Sequence, residues 1–143
     1  KKFAGSIAKE ILLRGPRKRG AVVVALLGEL GSGKTTFIQG FFRGLGIRKR
    51  QTSPTFIIMR RSPLASRRSG FHRRGFKNVY HVDAYRVSPR DMAPLGLREI
   101  VADPAQIVVV EWADKLKGIL PKHAVYIRLR HGARFTERTI RVL

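Results

Sequence analysis

The chain has 143 residues, and its 30 Lys and Arg residues against 9 Asp and Glu residues leave a formal net charge of +21 at pH 7. This length is typical of one domain, and 43% hydrophobic residues are enough to build a core, which argues against disorder throughout. The absence of cysteine excludes disulfides, thiolate metal sites and a cysteine nucleophile. No apolar run approaches the ~20 residues of a membrane span and no signal peptide is evident, so we expect a soluble, cytoplasmic protein with no membrane partner.

The positive charge has two interpretations. Arg makes up 20 of the 30 cations, and its planar guanidinium binds phosphate oxygens well, which would suit RNA or another polyanion. The alternative is a compositional bias that places Arg wherever a long solvated side chain is tolerated. The cations are spread along the whole chain, which favours the compositional bias, although they are denser at residues 17–19, 48–50, 60–77 and 128–141.

The first half of the chain predicts an alternation of helices and strands. Apolar residues recur at helical spacing over residues 3–12, and Gly15-Pro16 ends that helix. The Val-rich run 21–27 is typical of a strand buried on both faces. After a glycine-rich turn, the pattern predicts a helix over 34–45, a strand over 55–59, and a surface loop or hairpin tip over 62–75.

The second half predicts more strands and a terminal hairpin. Residues 78–85 alternate, with His81 and Asp83 on the polar face of the strand. Ser88, followed by Pro89 and then Asp91, is typical of a capped helix start. The run 107–110 predicts a second buried strand, and 125–129 with 136–142 a hairpin. We predict an α/β fold in one domain over residues 1–143, with a mainly parallel central sheet, antiparallel edge strands or a hairpin, and helices on both faces.

A phosphate-binding motif follows the first buried strand. It matches G-x-x-x-x-G-K-[ST] in full, as Gly28-Glu29-Leu30-Gly31-Ser32-Gly33-Lys34-Thr35. Glycines let the backbone curl so that its N–H groups point at phosphate oxygens, and the start of the following helix adds its own unpaired N–H groups. Lys34 can reach the β- and γ-phosphates, and the Thr35 hydroxyl can bind Mg²⁺. We therefore predict a P-loop NTPase-like fold, the alternative being a coincidental turn.

A P-loop needs an acid near the metal at the end of a neighbouring strand, and two candidates are present. Glu111 directly follows the buried strand 107–110, unless it marks a point where a strand merely reaches the surface. Asp83 could position or deprotonate a water for attack on the γ-phosphate, or hold a metal-bound water. His81 and Asp83 could also be metal ligands, but a strand histidine satisfied by a neighbour is the favoured interpretation of His81.

Missing motifs exclude several classes of P-loop protein. The single asparagine, Asn78, is followed by valine, so the guanine-reading N-K-x-D motif is absent. The chain also lacks an L-S-G-G-Q-like transporter signature and the length for the helical lid of a large ring ATPase. A small nucleoside or metabolite kinase stays open. So does a basic RNA-binding module with a vestigial ATP site, although the sequence has no aromatic RNA-stacking motif.

Four sequence blocks occur in a characteristic order, namely Gly28-Glu29-Leu30-Gly31-Ser32-Gly33-Lys34-Thr35-Thr36-Phe37, Ser53-Pro54-Thr55-Phe56, His81-Val82-Asp83-Ala84-Tyr85-Arg86 and Val110-Glu111-Trp112. Together they resemble the TsaE (YjeE) family, small bacterial ATPases needed to make threonylcarbamoyladenosine next to the anticodon of ANN-decoding tRNAs. The P-loop is generic, whereas the other three blocks in this order and spacing are specific. The resemblance covers nearly the whole chain.

The resemblance implies a role for each candidate residue. The nucleotide would be bound by Gly28, Gly31, Ser32, Gly33, Lys34, Thr35, Thr36 and Trp112, the alternative for Trp112 being plain core packing. Thr35 and Glu111 would hold Mg²⁺. Lys34, Asp83 and Thr55 would be catalytic, with Asp83 supporting hydrolysis and Thr55 in a switch-like loop near the γ-phosphate.

The resemblance also implies an accessory ATPase of low intrinsic activity, using ATP and Mg²⁺, whose cycle resets the TsaD–TsaB transferase complex between turnovers. It would meet tRNA indirectly, with direct electrostatic contact as an alternative. Several features depart from the family's pattern: Glu29 where Asp is frequent, a longer and more basic loop at 60–77, and a charge of +21 where members are more often near neutral or acidic. The chain also begins at about the family's first helix, so we expect a short segment near the adenine to be missing.

Overall fold

Residues 1–48, 58–64, 75–134 and 136–143 are described by a computed structural model of the protein. The helices are α1 (Lys2–Arg14), α2 (Lys34–Gly44), α3 (Pro89–Met92) and α4 (Leu97–Ala102), with a 3-10 helix at Ala113–Leu116. The strands are β1 (Val22–Leu27), β2 (Met59–Pro63), β3 (Asn78–Asp83), β4 (Gln106–Glu111), β5 (Val125–His131) and β6 (Arg138–Val142). Within these residues, no helix is long and apolar enough to cross a membrane.

The described strands form a six-stranded sheet in the order β2-β3-β4-β1-β5-β6. The four central strands are parallel, whereas β2 pairs antiparallel with β3 at one edge and β6 pairs antiparallel with β5 at the other. Parallel neighbours need a crossover connection, which α3 and α4 provide between β3 and β4. The predicted α/β fold, with a mainly parallel sheet and antiparallel edges, is confirmed.

Helices cover both faces of the sheet because the central strands are apolar on both faces. The core under α1 and α2 takes Val24 and Leu26 from β1, and the core under α3, α4 and the 3-10 helix takes Val23 and Ala25. Every residue of β4 is buried. The alternation along β1 therefore separates two cores, and the prediction of helices on both faces is confirmed.

The predicted end of the first helix, the predicted start of α3 and the predicted terminal hairpin are also confirmed. The first helix ends at Arg14, and Gly15 follows with φ +73°. The start of α3 carries a capping box, in which the carboxylate of Asp91 accepts hydrogen bonds from the backbone N–H and the hydroxyl of Ser88 at 2.7 and 2.8 Å. The antiparallel pair β5 and β6 forms the terminal hairpin.

Some element boundaries differ from the prediction. The strand β2 starts at Met59, after a bend at Ile58. The sequence pattern predicts a strand over 55–59, of which residues 55–57 lie outside the described residues. The strand β2 continues to Pro63 and pairs antiparallel with β3. A surface loop or hairpin tip is predicted over 62–75, of which residues 65–74 lie outside the described residues. The strand β3 ends at Asp83, before Tyr85.

The helices α1 and α2 approach each other as closely as glycine allows. A Cβ atom added at Gly44 of α2 would lie 2.6 Å from the carbonyl oxygen of Gly5 and 2.7 Å from the Cβ of Ala8, both in α1. Distances below 3.0 Å to backbone atoms would force the helices apart. The helix α2 follows the predicted phosphate-binding loop (residues 28–35, the phosphate loop below). The contact with α1 therefore helps to fix the position of α2 relative to this loop.

Candidate functional site

Three parallel strands end at the same edge of the sheet and bring the predicted site together. In the register of the sheet, Leu26 of β1 and Asp83 of β3 lie on either side of Glu111, the last residue of β4. The strand β1 continues into the phosphate loop, and α2 follows that loop. The loop and both candidate carboxylates therefore meet at the carboxyl edge of the sheet, where ligands bind in open α/β folds.

The phosphate loop depends on glycine at two positions. Gly28 has φ +145°, and a Cβ atom there would overlap the carbonyl oxygen of Leu129 in β5 and lie 2.7 Å from Oγ of Ser32. Gly33, the N-cap of α2, has φ +98°, and its carbonyl oxygen accepts a hydrogen bond from the Phe37 N–H at 2.9 Å. These conformations turn the chain from strand to helix and leave the first N–H groups of α2 available to a ligand.

The side chain of Lys34 is fixed by hydrogen bonds to the loop in which it lies. Its ammonium group donates hydrogen bonds to the carbonyl oxygens of Gly28 and Glu29, at 2.7 and 2.8 Å, and lies 3.6 Å from the ring centroid of Trp112. The residue is 5% exposed. Burial lowers the pKa of Lys34 below its ordinary value of 10.5, and the neighbouring charges of Glu111, Asp83 and Asp114 oppose that change. The Lys34 ammonium group is therefore largely shielded from solvent, and three nearby carboxylates stabilise its positive charge.

Glu111 is buried and hydrogen-bonded to His81. The His81 ring nitrogen Nε2 and the Glu111 oxygen Oε1 are 2.8 Å apart, and the two side chains are 1% and 4% exposed. In the tautomer with the proton on Nε2, this nitrogen donates the hydrogen bond and the Glu111 carboxylate accepts it. Within the described residues, Nδ1 of His81 is buried without a hydrogen-bond partner. The structure therefore favours the interpretation of His81 as a strand histidine satisfied by a neighbour, which is Glu111.

Trp112 and Tyr85 form an aromatic wall beside the loop. Trp112 adopts a left-handed backbone conformation with φ +58°, uncommon for a large side chain, at the start of the 3-10 helix. Its ring lies 4.9 Å from that of Tyr85, measured between centroids. Lys115 fastens this wall, because its ammonium group donates to the Tyr85 carbonyl oxygen at 2.6 Å. The Tyr85 N–H in turn donates to the Asp83 carboxylate at 3.0 Å, which orients that acid.

A cleft of about 350 Å³ opens between the loop and this wall. The predicted site residues that line it are Gly31, Gly33, Lys34, Thr35, Thr36, Asp83, Glu111 and Trp112. Gly28 and Ser32 line a neighbouring cavity on the β5 side of the loop, of about 930 Å³. Thr55, the remaining predicted site residue, lies outside the described residues.

The polar groups present fit a nucleotide with Mg²⁺. The hydroxyl of Ser32, in the middle of the loop, is fully buried and has no hydrogen-bond partner among the described residues. The charge of Lys34 lies in the same loop. In the part of the chain that the structure describes, no three or more His, Asp or Glu residues cluster as a metal cage. Mg²⁺ at phosphate sites uses one or two protein ligands together with phosphate oxygens and water, so Thr35 and Glu111 would suffice.

The sequence analysis gave no role to four residues at the site. Leu30, Tyr85 and Arg86 line the cleft, and Lys115 donates a hydrogen bond to the Tyr85 carbonyl oxygen. Tyr85 and Arg86 follow Asp83 directly at the end of a strand, which is a signal that could have found them. Lys115 could not be found in this way, because its contact depends on the path of the chain after β4.

The sequence model of the family described as "Threonylcarbamoyl adenosine biosynthesis protein TsaE" matches residues 2–140 of the chain. Curated relatives named "tRNA threonylcarbamoyladenosine biosynthesis protein TsaE" include that of Haemophilus influenzae, which is 32% identical over 130 residues, and that of Treponema pallidum, which is 37% identical over 109 residues. These alignments cover 90% and 76% of the chain, and 72% of each relative. The relative in Bacillus subtilis is 35% identical over 110 residues, covering 77% of the chain and 62% of that protein.

A solved structure has the same fold. The crystal structure of Bacillus subtilis YdiB superimposes with a TM-score of 0.66 and 29% sequence identity. The match covers 98% of this chain and 77% of that chain. The similarity therefore extends over the whole sheet and both layers of helices.

Proposed function

Because the chain belongs to the TsaE family of threonylcarbamoyladenosine biosynthesis, we propose that it is a slow, Mg²⁺-dependent ATPase that assists this tRNA modification together with TsaD and TsaB. The observation that supports the proposal best is the convergence of a glycine-rich loop, the ammonium group of Lys34 and two strand-end carboxylates, Asp83 and Glu111, on one cleft. A site that only binds a small anion would need the loop and the lysine but no carboxylates. Metal-dependent hydrolysis of a phosphate also needs acids that hold the metal ion and orient the attacking water, and the two carboxylates meet that need.

Lys34 would bind the β- and γ-phosphates. Its hydrogen bonds to two loop carbonyls and its contact with Trp112 hold the ammonium group at the mouth of the loop before any ligand arrives. Little rotational freedom of the side chain remains to be lost on binding, and the buried charge gains a counter-ion. The N–H groups of residues 31–36 and the hydroxyl of Ser32 would bind the remaining phosphate oxygens.

Thr35 and Glu111 would hold Mg²⁺, which supplies positive charge to the phosphate oxygens when bound. The hydrogen bond from His81 occupies Oε1 of Glu111, so the other carboxylate oxygen, Oε2, is the one available to a ligand. Asp83 would orient or deprotonate the attacking water, since the Tyr85 N–H fixes its carboxylate at the end of β3. Trp112 would contact the nucleotide from the other side of Lys34.

Coupling to TsaD–TsaB is proposed only from the family resemblance, which implies a switch-like role for residues 53–56 with Thr55. These residues lie outside the described part of the chain. The tRNA would then be met through that complex. Localisation in the cytoplasm follows from the proposed pathway.

The experiment that tests the proposal is an ATPase assay with and without TsaD–TsaB. We expect slow release of inorganic phosphate that requires Mg²⁺, increases with the partner complex, and is abolished by Lys34→Ala or Glu111→Ala. The matched control is Lys18→Ala, an exposed lysine in the turn between α1 and β1, which should behave as the unmodified protein. Full turnover by Lys34→Ala would refute the proposal, and phosphate transferred to an added nucleoside would identify a kinase instead.

A pull-down with TsaD–TsaB tests the partners separately. Capture that requires ATP and survives moderate salt supports a specific complex. Capture that disappears entirely when the salt concentration is raised, and that ignores ATP, would show only electrostatic adhesion of a protein with a charge of +21.

A further inference from the structure

The terminal hairpin carries paired arginines on one face of the sheet. Along β5, Tyr126, Arg128 and Arg130 alternate with core residues and therefore share one face. Arg141 of β6 is the register partner of Arg128, so both guanidinium groups project from that same face, with Cβ atoms about 5 Å apart. Like charges directly opposite one another in a sheet are destabilising. An anion bound to this face would remove the repulsion.

We call this face the arginine face (Tyr126, Arg128, Arg130 and Arg141). Tyr126, Arg128 and Arg130 line the 930 Å³ cavity beside the phosphate loop, and Arg141 lies next to Arg128 on the neighbouring strand. Lys117, which follows the 3-10 helix, also lines the cavity. The acids that line the cavity are Glu29 and Asp114, and the remaining ionisable residue is His131. Three Lys and Arg side chains, Lys117, Arg128 and Arg130, line the cavity together with these two acids. Within the described residues, neither these three cations nor Arg141 forms an ion pair, so their charge is not neutralised.

The walls of the cavity also carry aromatic rings. Tyr126 is half-buried and packs on the core under α3 and α4, and Trp112 also lines the cavity. Guanidinium groups bind phosphodiester oxygens, and aromatic rings stack on unpaired bases. An acidic protein segment would match the charges but would gain little from the rings. The combination therefore favours single-stranded nucleic acid over an acidic protein.

We propose that the arginine face binds single-stranded RNA, with Arg128, Arg130 and Arg141 on successive phosphates and Tyr126 against an unstacked base. None of the three arginines belongs to the proposed phosphate-binding loop, so we expect the binding of RNA not to require hydrolysis of ATP. RNA bound here would lie next to the loop, since Gly28 and Ser32 belong to the same cavity.

The test is binding of a fluorescent single-stranded RNA of about 12 nucleotides, measured by anisotropy between about 50 and 200 mM salt. The variant is the triple substitution Arg128→Ala, Arg130→Ala and Arg141→Ala. The matched control is Arg17→Ala, Lys18→Ala and Arg19→Ala, which removes the same charge from three exposed residues in the turn between α1 and β1. We expect the arginine-face triple to lose at least about tenfold in affinity and to reduce the log–log salt slope by about 2. The control should change affinity less than about twofold.

Substitutions at Tyr126 distinguish a specific binding site from non-specific attraction to a positively charged surface. Tyr126→Phe keeps the ring and should bind as the unmodified protein, whereas Tyr126→Leu should lose about tenfold. Circular dichroism and thermal unfolding check that each variant is folded. Equal losses in the two triple variants would overturn the proposal in favour of non-specific attraction, and equally strong binding of polyglutamate would assign the face to an acidic protein.

The phosphate loop must also be separated from the RNA site. Lys34→Ala should leave the affinity for RNA unchanged, although it abolishes ATP hydrolysis under the proposed function. Loss of RNA binding in Lys34→Ala, together with competition by ATP, would show that RNA only occupies the nucleotide site and would overturn the proposal.

Discussion

Replacing His81 by alanine should destabilise the protein by about 4 kcal/mol. The substitution removes the 2.8 Å hydrogen bond to Glu111 and leaves a carboxylate with 4% exposure in the interior without its donor. Breaking a buried pair by removing one partner costs about 3–5 kcal/mol, because the remaining charge keeps its desolvation penalty. The void left beside Phe42, whose ring centroid is 6.1 Å from that of His81, adds to this cost, so the expected loss is above the lower end of that range.

Urea unfolding measures this loss, and two companion variants identify its cause. His81→Gln retains an N–H donor at a similar distance along the side chain and should cost about half as much. Glu111→Gln retains the acceptor and removes the charge, so it should cost still less. A loss below about 1 kcal/mol for His81→Ala, or equal losses for His81→Ala and His81→Gln, would refute the reasoning from the hydrogen bond.

The same variants report on the metal if Glu111 binds Mg²⁺. His81 then orients a metal ligand, and the loss of such a partner typically weakens metal affinity 10–100-fold. Nucleotide binding measured without Mg²⁺ should be nearly unchanged in His81→Gln, whereas the gain in affinity on adding Mg²⁺ should shrink. An unchanged Mg²⁺ response would separate His81 from the metal site and leave it a purely structural residue.

The remaining predictions concern packing, pH and phosphate binding. Gly44→Ala should lower the free energy of unfolding in urea by about 2 kcal/mol, because its Cβ would lie 2.6 Å from the Gly5 carbonyl oxygen in α1. In the control Gly5→Ala the added Cβ would lie 3.4 Å from the Gly40 carbonyl oxygen, so this variant should be neutral or stabilising. Equal effects of the two substitutions would contradict the close approach of the helices. Hydrogen bonds from Gln106 and a backbone N–H hold the pKa of Asp103 below 3.8, so their contribution to stability is present above pH 3.8 and is lost as the pH falls through the folded-state pKa. Asp103→Asn should therefore flatten the acid limb of a stability–pH profile, and an unchanged limb would refute this reasoning. Lys34→Met should weaken ATP binding about 100-fold by calorimetry without lowering the melting temperature, and a large drop in that temperature would show a structural role instead.

The sheet and the site edge could be predicted because their causes are local in the sequence. Val-rich runs at 21–27 and 107–110 predict strands buried on both faces, and parallel strands bring their carboxyl ends to one edge. The phosphate motif depends on glycine positions that the sequence states directly. Glu111 was a candidate for the same reason, since it directly follows one of those runs.

The partners of the site residues could not be predicted, because they depend on register and on the path of the chain. His81 is level with Val109, two residues before Glu111, so both polar side chains project under α2 and meet diagonally. Nothing in the local pattern of β3 states that register. The contact of Lys34 with Trp112 likewise requires the left-handed conformation at Trp112, which no propensity favours in a tryptophan.

The central position of β1 has a consequence for synthesis of the chain. The strand that carries the phosphate loop pairs with β4 and β5, and Val22 meets Ile107, more than half the chain length further on. A nascent chain that has emerged only as far as α2 holds the whole phosphate motif but neither of the strands that β1 needs on its two sides. Pairings of such large sequence separation form slowly, and unpaired apolar strands are prone to aggregate while they wait. Under the proposed function, affinity for a nucleotide would therefore arise only after β4 and β5 have left the ribosome and paired with β1.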